Sequence, residues 1–213
     1  MNSIKGRIIN YDNEILGEIT FDNKIHKIKE ISEGVEDYII PGFIDLHCHG
    51  GQGFEVMDGW SSIEKMSKYH LAYGTTSILP TTWTESLENT YNALTGYREN
   101  IKKNPNILGI HLEGPFINSN KLGAQPNKAI DPDIEFIKKL LGVAEIKIVT
   151  LAPELNGIDP VLDFLQENKI KIQFGHSLAK YDQCLQYMKK YEIGFTHLYN
   201  AMSGNDHRDP GVL

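Results

Sequence analysis

The protein has 213 residues, and its 21 Lys and Arg against 28 Asp and Glu give a formal net charge of −7. This balance argues against a general nucleic-acid binder, which needs clustered basic residues, and no apolar run approaches the roughly 20 residues of a membrane helix. The N-terminus lacks the apolar stretch of a signal peptide, and two cysteines (Cys48 and Cys184) cannot build a disulfide framework, so we expect a cytoplasmic protein.

Residues 1–38 are predicted to form a small β subdomain. Short apolar-polar stretches at residues 15–21 and 24–28 are separated by Asp-Asn turns, which is typical of β-strands. No pattern of helical length occurs in this part of the sequence.

Residues 39–213 are predicted to alternate between strands and helices. The strand candidates are largely continuous apolar runs, as expected of parallel strands that are buried on both faces: residues 38–46, 75–79, 107–112, 146–151, 170–174 and 194–196. Between them, Ser61 and Glu64 resemble a capping box that starts a helix, and the apolar spacing over residues 87–101 predicts a second helix, which Asn104 and Pro105 end.

Six strands with intervening helices fit either an open doubly wound sheet or part of a (β/α)8 barrel. In a barrel, functional side chains gather at the carboxyl ends of several strands, whereas an open sheet concentrates its site at one switch point. Almost every predicted strand here has a His or Glu at that end. The pattern therefore favours an incomplete (β/α)8 barrel of about six βα units.

The first barrel strand ends in His47, Cys48 and His49. Because side chains alternate between the faces of a strand, the two histidines point the same way and Cys48 points the opposite way. Two imidazoles on one face can chelate a metal ion, although a hydrogen-bonded pair of histidines at a strand end has the same spacing.

Three further polar residues follow later strands, namely Glu113, His176 and His197. Each alone could be a cap or a packed residue, but histidines and a glutamate at the ends of several parallel strands together indicate a metal site. Imidazole and carboxylate suit Zn or Fe, and the absence of clustered Cys argues against a structural zinc site. An open-coordinated metal lowers the pKa of bound water from ~15.7 towards ~7, so the residues favour a metal-dependent hydrolase.

Several segments resemble a known enzyme family. Residues 41–50 are similar to the opening metal motif of the amidohydrolase superfamily, and residues 111–116 to the signature of N-acetylglucosamine-6-phosphate deacetylases. Segments 121–125, 151–154, 175–177 and 197–202 follow in the order of that family. The resemblance covers essentially the whole chain.

The resemblance implies roles for individual residues. Glu113, His176 and His197 would hold the principal metal, and His47 and His49 would contribute to a second site that some members have lost. Substrate contacts are implied for Ala124, Gln125, Asn200, Ala201 and Arg208. Family members usually have Ala-His where this chain has Ala124 and Gln125, and Arg208 matches an arginine that reaches a phosphate across a dimer interface.

The implied reaction converts N-acetylglucosamine 6-phosphate to glucosamine 6-phosphate and acetate in amino-sugar catabolism, with one or two divalent ions (Zn or Fe) per site. The resemblance also implies a homodimer for the full-length protein. The catalytic aspartate of the family, and the strands that usually complete the β subdomain into a sandwich, would lie beyond Leu213. We therefore expect an N-terminal portion that lacks the aspartate and is not a stable monomer alone.

Two other hypotheses remain open from the sequence. The first is another amidohydrolase, such as a dihydroorotase or dipeptidase relative, which often uses a carboxylated lysine at the end of the fourth strand. The second is a truncated product that binds metal or sugar phosphate without turnover. His111 lies near the predicted site, and one hypothesis is that it orients Glu113.

Overall fold

The N-terminal unit is built around a four-stranded β-sheet. The computed structural model, which describes residues 1–32 and 34–213, ends this unit at Phe43, whereas the sequence pattern placed the boundary after residue 38. The strands are β1 (Asn2–Ile9), β2 (Glu14–Phe21), β3 (Ile25–Glu30) and β4 (Tyr38–Ile39), in the order β3-β2-β1-β4. β1 pairs antiparallel with β2 and parallel with β4.

The strand predicted over residues 38–46 is in fact two strands. β4 ends at Ile39, and β5 (Phe43–Cys48) begins a different sheet. Pro41 lies between them, and because proline has no backbone N–H it cannot donate a ladder hydrogen bond. A short hairpin of β6 (Gly50–Gly51) and β7 (Phe54–Glu55) follows β5.

The second unit contains a six-stranded sheet. After β5 its strands are β8 (Thr75–Thr82), β9 (Ile110–Glu113), β10 (Ile146–Leu151), β11 (Lys171–Phe174) and β12 (Ile193–Phe195), in the order β12-β11-β10-β9-β8-β5. Every pair from β8 to β12 is parallel. The strands form a curled half-barrel, so the prediction of an incomplete (β/α) barrel is confirmed.

Helices connect the strands of this sheet. They are α1 (Trp60–Ala72), α2 (Leu87–Leu94), α3 (Tyr97–Asn100), α4 (Ile134–Leu141), α5 (Ile158–Glu167) and α6 (Tyr181–Met188). The capping-box prediction at Ser61 was wrong, because α1 begins at Trp60 with Gly59 as its N-cap. The predicted helix over residues 87–101 is interrupted at Gly96, whose φ of 95° is left-handed. No helix in the described part of the chain is long and apolar enough to cross a membrane.

The hydrophobic core of this unit contains the apolar stripes of α4 and α5. Phe136, Ile137 and Leu140 of α4 belong to the same buried cluster as Ile110 and Leu112 of β9. Burying each such side chain contributes about 1.5–3 kcal/mol. All four residues of β9 are buried, which places a polar pair, His111 and Glu113, inside the protein as well.

We expect Gly114→Ala to lower the free energy of unfolding by about 1–3 kcal/mol more than Gly53→Ala. Both glycines have left-handed backbones, with φ of 74° and 80°, so both substitutions carry the same kind of backbone strain. A Cβ at position 53 meets open space, whereas one at position 114 would clash with Thr84 Oγ1. Urea unfolding of both variants measures the difference, and equal losses would contradict this expectation.

Candidate metal centre

Side chains from the carboxyl ends of several strands line one pocket of about 420 Å³. This volume lies within the range of about 300–1,000 Å³ that is usual for small-molecule sites. The residues lining the pocket include all five predicted metal ligands and four of the five predicted substrate contacts: His47, His49, Trp83, Glu113, Gly123, Ala124, Gln125, His176, His197, Asn200 and Ala201.

His47, His49 and Glu113 bring three donor atoms together on one side of the pocket. The Nε2 atoms of the two histidines are 3.0 Å apart, and each lies 2.9–3.0 Å from Glu113 Oε2. Cys48 points to the opposite face, where its Sγ lies 3.3 Å from His70 Nε2. The alternation predicted for this strand end therefore agrees with the observed contacts.

A second group of three donor atoms uses the other oxygen of the same carboxylate. Glu113 Oε1 lies 3.0 Å from both His176 Nε2 and His197 Nε2, and these two nitrogens are 3.1 Å apart. Glu113 therefore belongs to both groups, and its side chain is only 1% exposed. Ligands that bind a common ion at about 2.0–2.2 Å have a similar mutual spacing.

The backbone at the ends of β11 and β12 is strained where two of these histidines occur. His176 has a φ of 49° and His197 a φ of 34°, in a region that costs a non-glycine residue about 1–3 kcal/mol. Such strain persists only where surrounding contacts compensate for it. Its occurrence at two residues that face one carboxylate supports a functional role for them.

The tautomers of three histidines fit a bound cation. Nδ1 of His49, His176 and His197 lies 3.0, 2.7 and 3.2 Å from the backbone oxygens of Thr81, Lys121 and Asn200, respectively. A carbonyl oxygen can only accept, so Nδ1 carries a proton, and each ring in its neutral form presents the lone pair of Nε2 to the pocket. Lone pairs that converge on a carboxylate are the donor set expected around a divalent metal ion.

Charge in the pocket is concentrated on Glu113. Burial raises the pKa of this carboxyl, but contacts with His176, His197, His47 and His49 lower it more, so the net pKa lies well below its usual range. The same contact with Glu113 raises the pKa of His197, against the opposing effect of burial. The site therefore holds a buried anion that favours any cation placed against it.

His111 connects strands beneath the pocket and does not contact Glu113 through a hydrogen bond that the structure describes. Burial, followed by the charge of His47, lowers the pKa of His111 to about 3, so the ring is neutral. Its Nδ1 donates to the backbone oxygen of Leu46 at 2.9 Å, and its Nε2 lies 2.7 Å from Thr150 Oγ1, which must donate to it. His111 thus ties β9 to β5 next to His47.

Two contacts at the strand ends were not predicted. The indole of Trp83 stacks on the imidazole of His49, with ring centroids 3.7 Å apart. Glu154 accepts hydrogen bonds from Ser177 Oγ at 2.7 Å and from Asn118 Nδ2 at 2.9 Å, next to His176. Trp83 follows the end of β8 and Glu154 follows the end of β10. Their location after a strand was the sequence signal that could have identified them.

The predicted substrate contacts have different environments. Gln125 is buried, and its Nε2 donates to Glu113 Oε2 at 2.8 Å. Asn200 and Ala201 both line the pocket. The backbone N–H of Asn200 donates to the backbone oxygen of His197 at 3.0 Å, so this N–H is not free to bind a substrate. Arg208 is exposed and is not among the residues that line it.

Comparison with known proteins identifies a family. Residues 38–202 match the amidohydrolase family, whose members are generally dependent on divalent metals. This match confirms the resemblance seen in the motifs of the sequence.

Relatives and solved structures give similar results. The chain is 40% identical over 195 residues to the N-acetylglucosamine-6-phosphate deacetylase of Bacillus subtilis (strain 168), covering 87% of this chain and 49% of the relative. It is 30% identical over 190 residues to the N-acetylgalactosamine-6-phosphate deacetylase of Escherichia coli O157:H7, covering 86% and 50%. The N-acetylglucosamine-6-phosphate deacetylase structure from Thermotoga maritima matches with a TM-score of 0.89 and 29% identity, covering 99% and 58%. The chain spans about half the length of these curated relatives.

We expect Thr150→Val to destabilise the chain by about 1–3 kcal/mol, because it leaves the buried Nε2 of His111 without a donor. Thr76→Val is the matched control, since Thr76 is exposed on β8 and its substitution should change stability by less than about 0.5 kcal/mol. Urea unfolding compares the two variants. A loss at position 150 no larger than at position 76 would show that the hydroxyl is not required.

We also expect binding of Zn²⁺ to release protons and to weaken as the pH falls. Glu113 raises the pKa of His197, so a proton competes with the ion for this ring more strongly than for an ordinary histidine, and raising the pH removes this competition. Calorimetric titration at one pH, in two buffers that differ in ionisation enthalpy, measures the protons released. Identical heats in both buffers would contradict the expectation.

Proposed function

The chain belongs to the amidohydrolase family, and we propose that it supplies the metal centre and part of the substrate pocket of an enzyme that deacetylates N-acetylglucosamine 6-phosphate. The products would be glucosamine 6-phosphate and acetate. The observation that carries this proposal is the pair of three-donor groups that share Glu113.

Each donor group has a proposed role. Glu113, His176 and His197 would hold the principal ion, and His47 and His49 would hold a second ion together with the other oxygen of Glu113. Imidazole and carboxylate donors suit Zn or Fe. An ion held there supplies a Lewis acid that polarises a carbonyl group and lowers the pKa of water.

The remaining residues of the pocket would bind and orient the substrate. Ala124, Asn200 and Ala201 line the same pocket as the donor groups, so a ligand there lies beside them. Because the backbone N–H of Asn200 already donates to His197, we assign the contact of Asn200 with the substrate to its side chain. Arg208 is exposed, and its guanidinium would pair two phosphate oxygens, in the pocket of a second copy if the protein is a dimer.

The substrate assignment follows the relatives. The Bacillus subtilis relative, named for N-acetylglucosamine 6-phosphate, is more similar than the Escherichia coli relative, which is named for N-acetylgalactosamine 6-phosphate. Both names describe removal of an acetyl group from a phosphorylated amino sugar. We propose the first sugar as substrate and treat the second as an outcome of the test.

The residues after β10, the fourth strand of the half-barrel, disfavour a dihydroorotase-like enzyme. Enzymes of that kind often use a carboxylated lysine at the end of this strand, where β10 is followed by Ala152, Pro153 and Glu154. Glu154 does not line the pocket, and its carboxylate is occupied by Ser177 and Asn118. A chain that binds metal without turnover remains the second candidate, because the chain spans about half the length of the curated relatives that it matches.

We expect the chain to bind two Zn²⁺ ions and Glu113→Gln to lose both, since the substitution removes the charge that both donor groups share. Glu167→Gln is the matched control, because Glu167 is exposed on α5 and should leave binding unchanged. Elemental analysis after dialysis counts the ions. Retention of both ions by Glu113→Gln would contradict the proposed centre.

The reaction is tested separately with the zinc-loaded chain and three compounds: N-acetylglucosamine 6-phosphate, N-acetylgalactosamine 6-phosphate and dihydroorotate. Faster acetate release from the first compound supports the proposed substrate. Preference for the second would reassign the sugar, and hydrolysis of the third would indicate a different amidohydrolase. Bound metal without turnover of any compound favours the non-catalytic alternative.

A further inference from the structure

Gln125 makes two hydrogen bonds inside the wall of the metal centre. It lies in the loop after β9 and is 6% exposed. Its Oε1 accepts from the backbone N–H of Thr84 at 2.7 Å, and its Nε2 donates to Glu113 Oε2 at 2.8 Å. A buried amide with both ends engaged is well suited to fix the position of its partners.

The orientation of this amide follows from its partners. The backbone nitrogen of Thr84 can only donate, so the amide atom that faces it must be the oxygen. The NH₂ group of Gln125 therefore faces Glu113, which as a carboxylate can only accept. The contact is a directed N–H···O⁻ hydrogen bond, and such charge-assisted bonds are stronger than neutral ones.

The role of Glu113 in both donor groups depends on the orientation of its carboxylate. Its Oε1 faces His176 and His197, while its Oε2 faces His47 and His49, so both groups form only at one setting of the terminal torsion. This torsion is intrinsically broad for a glutamate. The bond from Gln125 is made to Oε2, the oxygen that belongs to the His47 and His49 group.

Thr84 anchors the arrangement from a second direction. Its side chain is buried, and its Oγ1 donates to the backbone oxygen of Glu113 at 3.4 Å. The residue that holds the Gln125 oxygen therefore also contacts the main chain of Glu113. Gln125, Thr84 and Glu113 form a closed ring of hydrogen bonds, in which Gln125 supplies the contact to the carboxylate.

We propose that Gln125 is a positioning residue that holds Glu113 so that both of its oxygens face histidines, and that it thereby controls occupancy of the His47 and His49 site. This inference rests on the metal centre proposed above. The positioning role is compatible with the predicted contact between Gln125 and substrate, because Glu113 uses only one of the two N–H groups of the amide.

The role is tested with Gln125→Glu and Gln125→Ala in the 213-residue chain. Gln125→Glu keeps the size and an acceptor for Thr84, but it places an oxygen where Glu113 needs a donor. Gln125→Ala removes both bonds. Gln166→Glu is the matched control, because it makes the same chemical change at an exposed position on α5.

Calorimetric titration with Zn²⁺ measures the affinity of each ion, and urea unfolding of the metal-free variants shows that they fold. We expect one of the two ions to bind about 10–100-fold more weakly in both Gln125 variants, as for other residues that orient metal ligands. The other ion and the Gln166→Glu control should keep the original affinity. A contact with substrate alone would leave both zinc affinities unchanged and would overturn the inference.

A double variant identifies the affected site. If Gln125 acts through the His47 and His49 group, adding Gln125→Ala to His49→Asn should cause no further loss of zinc, because that ion is already absent. A further loss, or equal weakening of both ions in Gln125→Ala, would contradict the selective role. If the original chain binds no zinc, the proposed metal centre fails first and the role of Gln125 fails with it.

Discussion

Glu113 holds a negative charge almost completely out of water, and the surrounding structure compensates for it. Removing a carboxylate from water costs several kcal/mol unless close partners replace the lost hydration. Here the amide N–H of Gln125 at 2.8 Å supplies one such partner, and a cation held between the carboxylate and four imidazole nitrogens would supply the rest. These groups lie at the ends of β5, β11 and β12 and in the loop after β9, so a single buried charge faces most of the half-barrel.

The parallel sheet explains why these partners can meet. Strands that run in the same direction end at the same edge, so side chains that follow β5, β9, β11 and β12 are brought to one pocket. Local backbone geometry completes the arrangement. Left-handed conformations at His176 and His197 and the close approach of Gly114 to Thr84 place the ends of the strands around Glu113. Helices α4 and α5 contribute to the buried apolar cluster, and the strand ends line the pocket.

Alternation along β9 separates the hydrophobic cluster from the polar pocket. Ile110 and Leu112 belong to the hydrophobic cluster, while His111 and Glu113 fall on the other face of the same strand. His111 remains neutral there because burial and the nearby His47 lower its pKa, and its two nitrogens contact Leu46 and Thr150. The hydrogen bonds of His111 therefore tie β9 to β5 and β10 without adding charge to the face that carries Glu113.

The sequence by itself determined the features that depend on local periodicity. These are the alternating strands and helices, the shared face of His47 and His49, and the polar residues at strand ends. Only the tertiary structure decided which atoms meet: it divided the first strand at Pro41, interrupted a helix at Gly96, stacked Trp83 on His49 and directed Gln125 to Glu113. The physical reason is that periodicity describes neighbours along one element, whereas contacts between elements depend on strand register and loop path, which long-range packing sets.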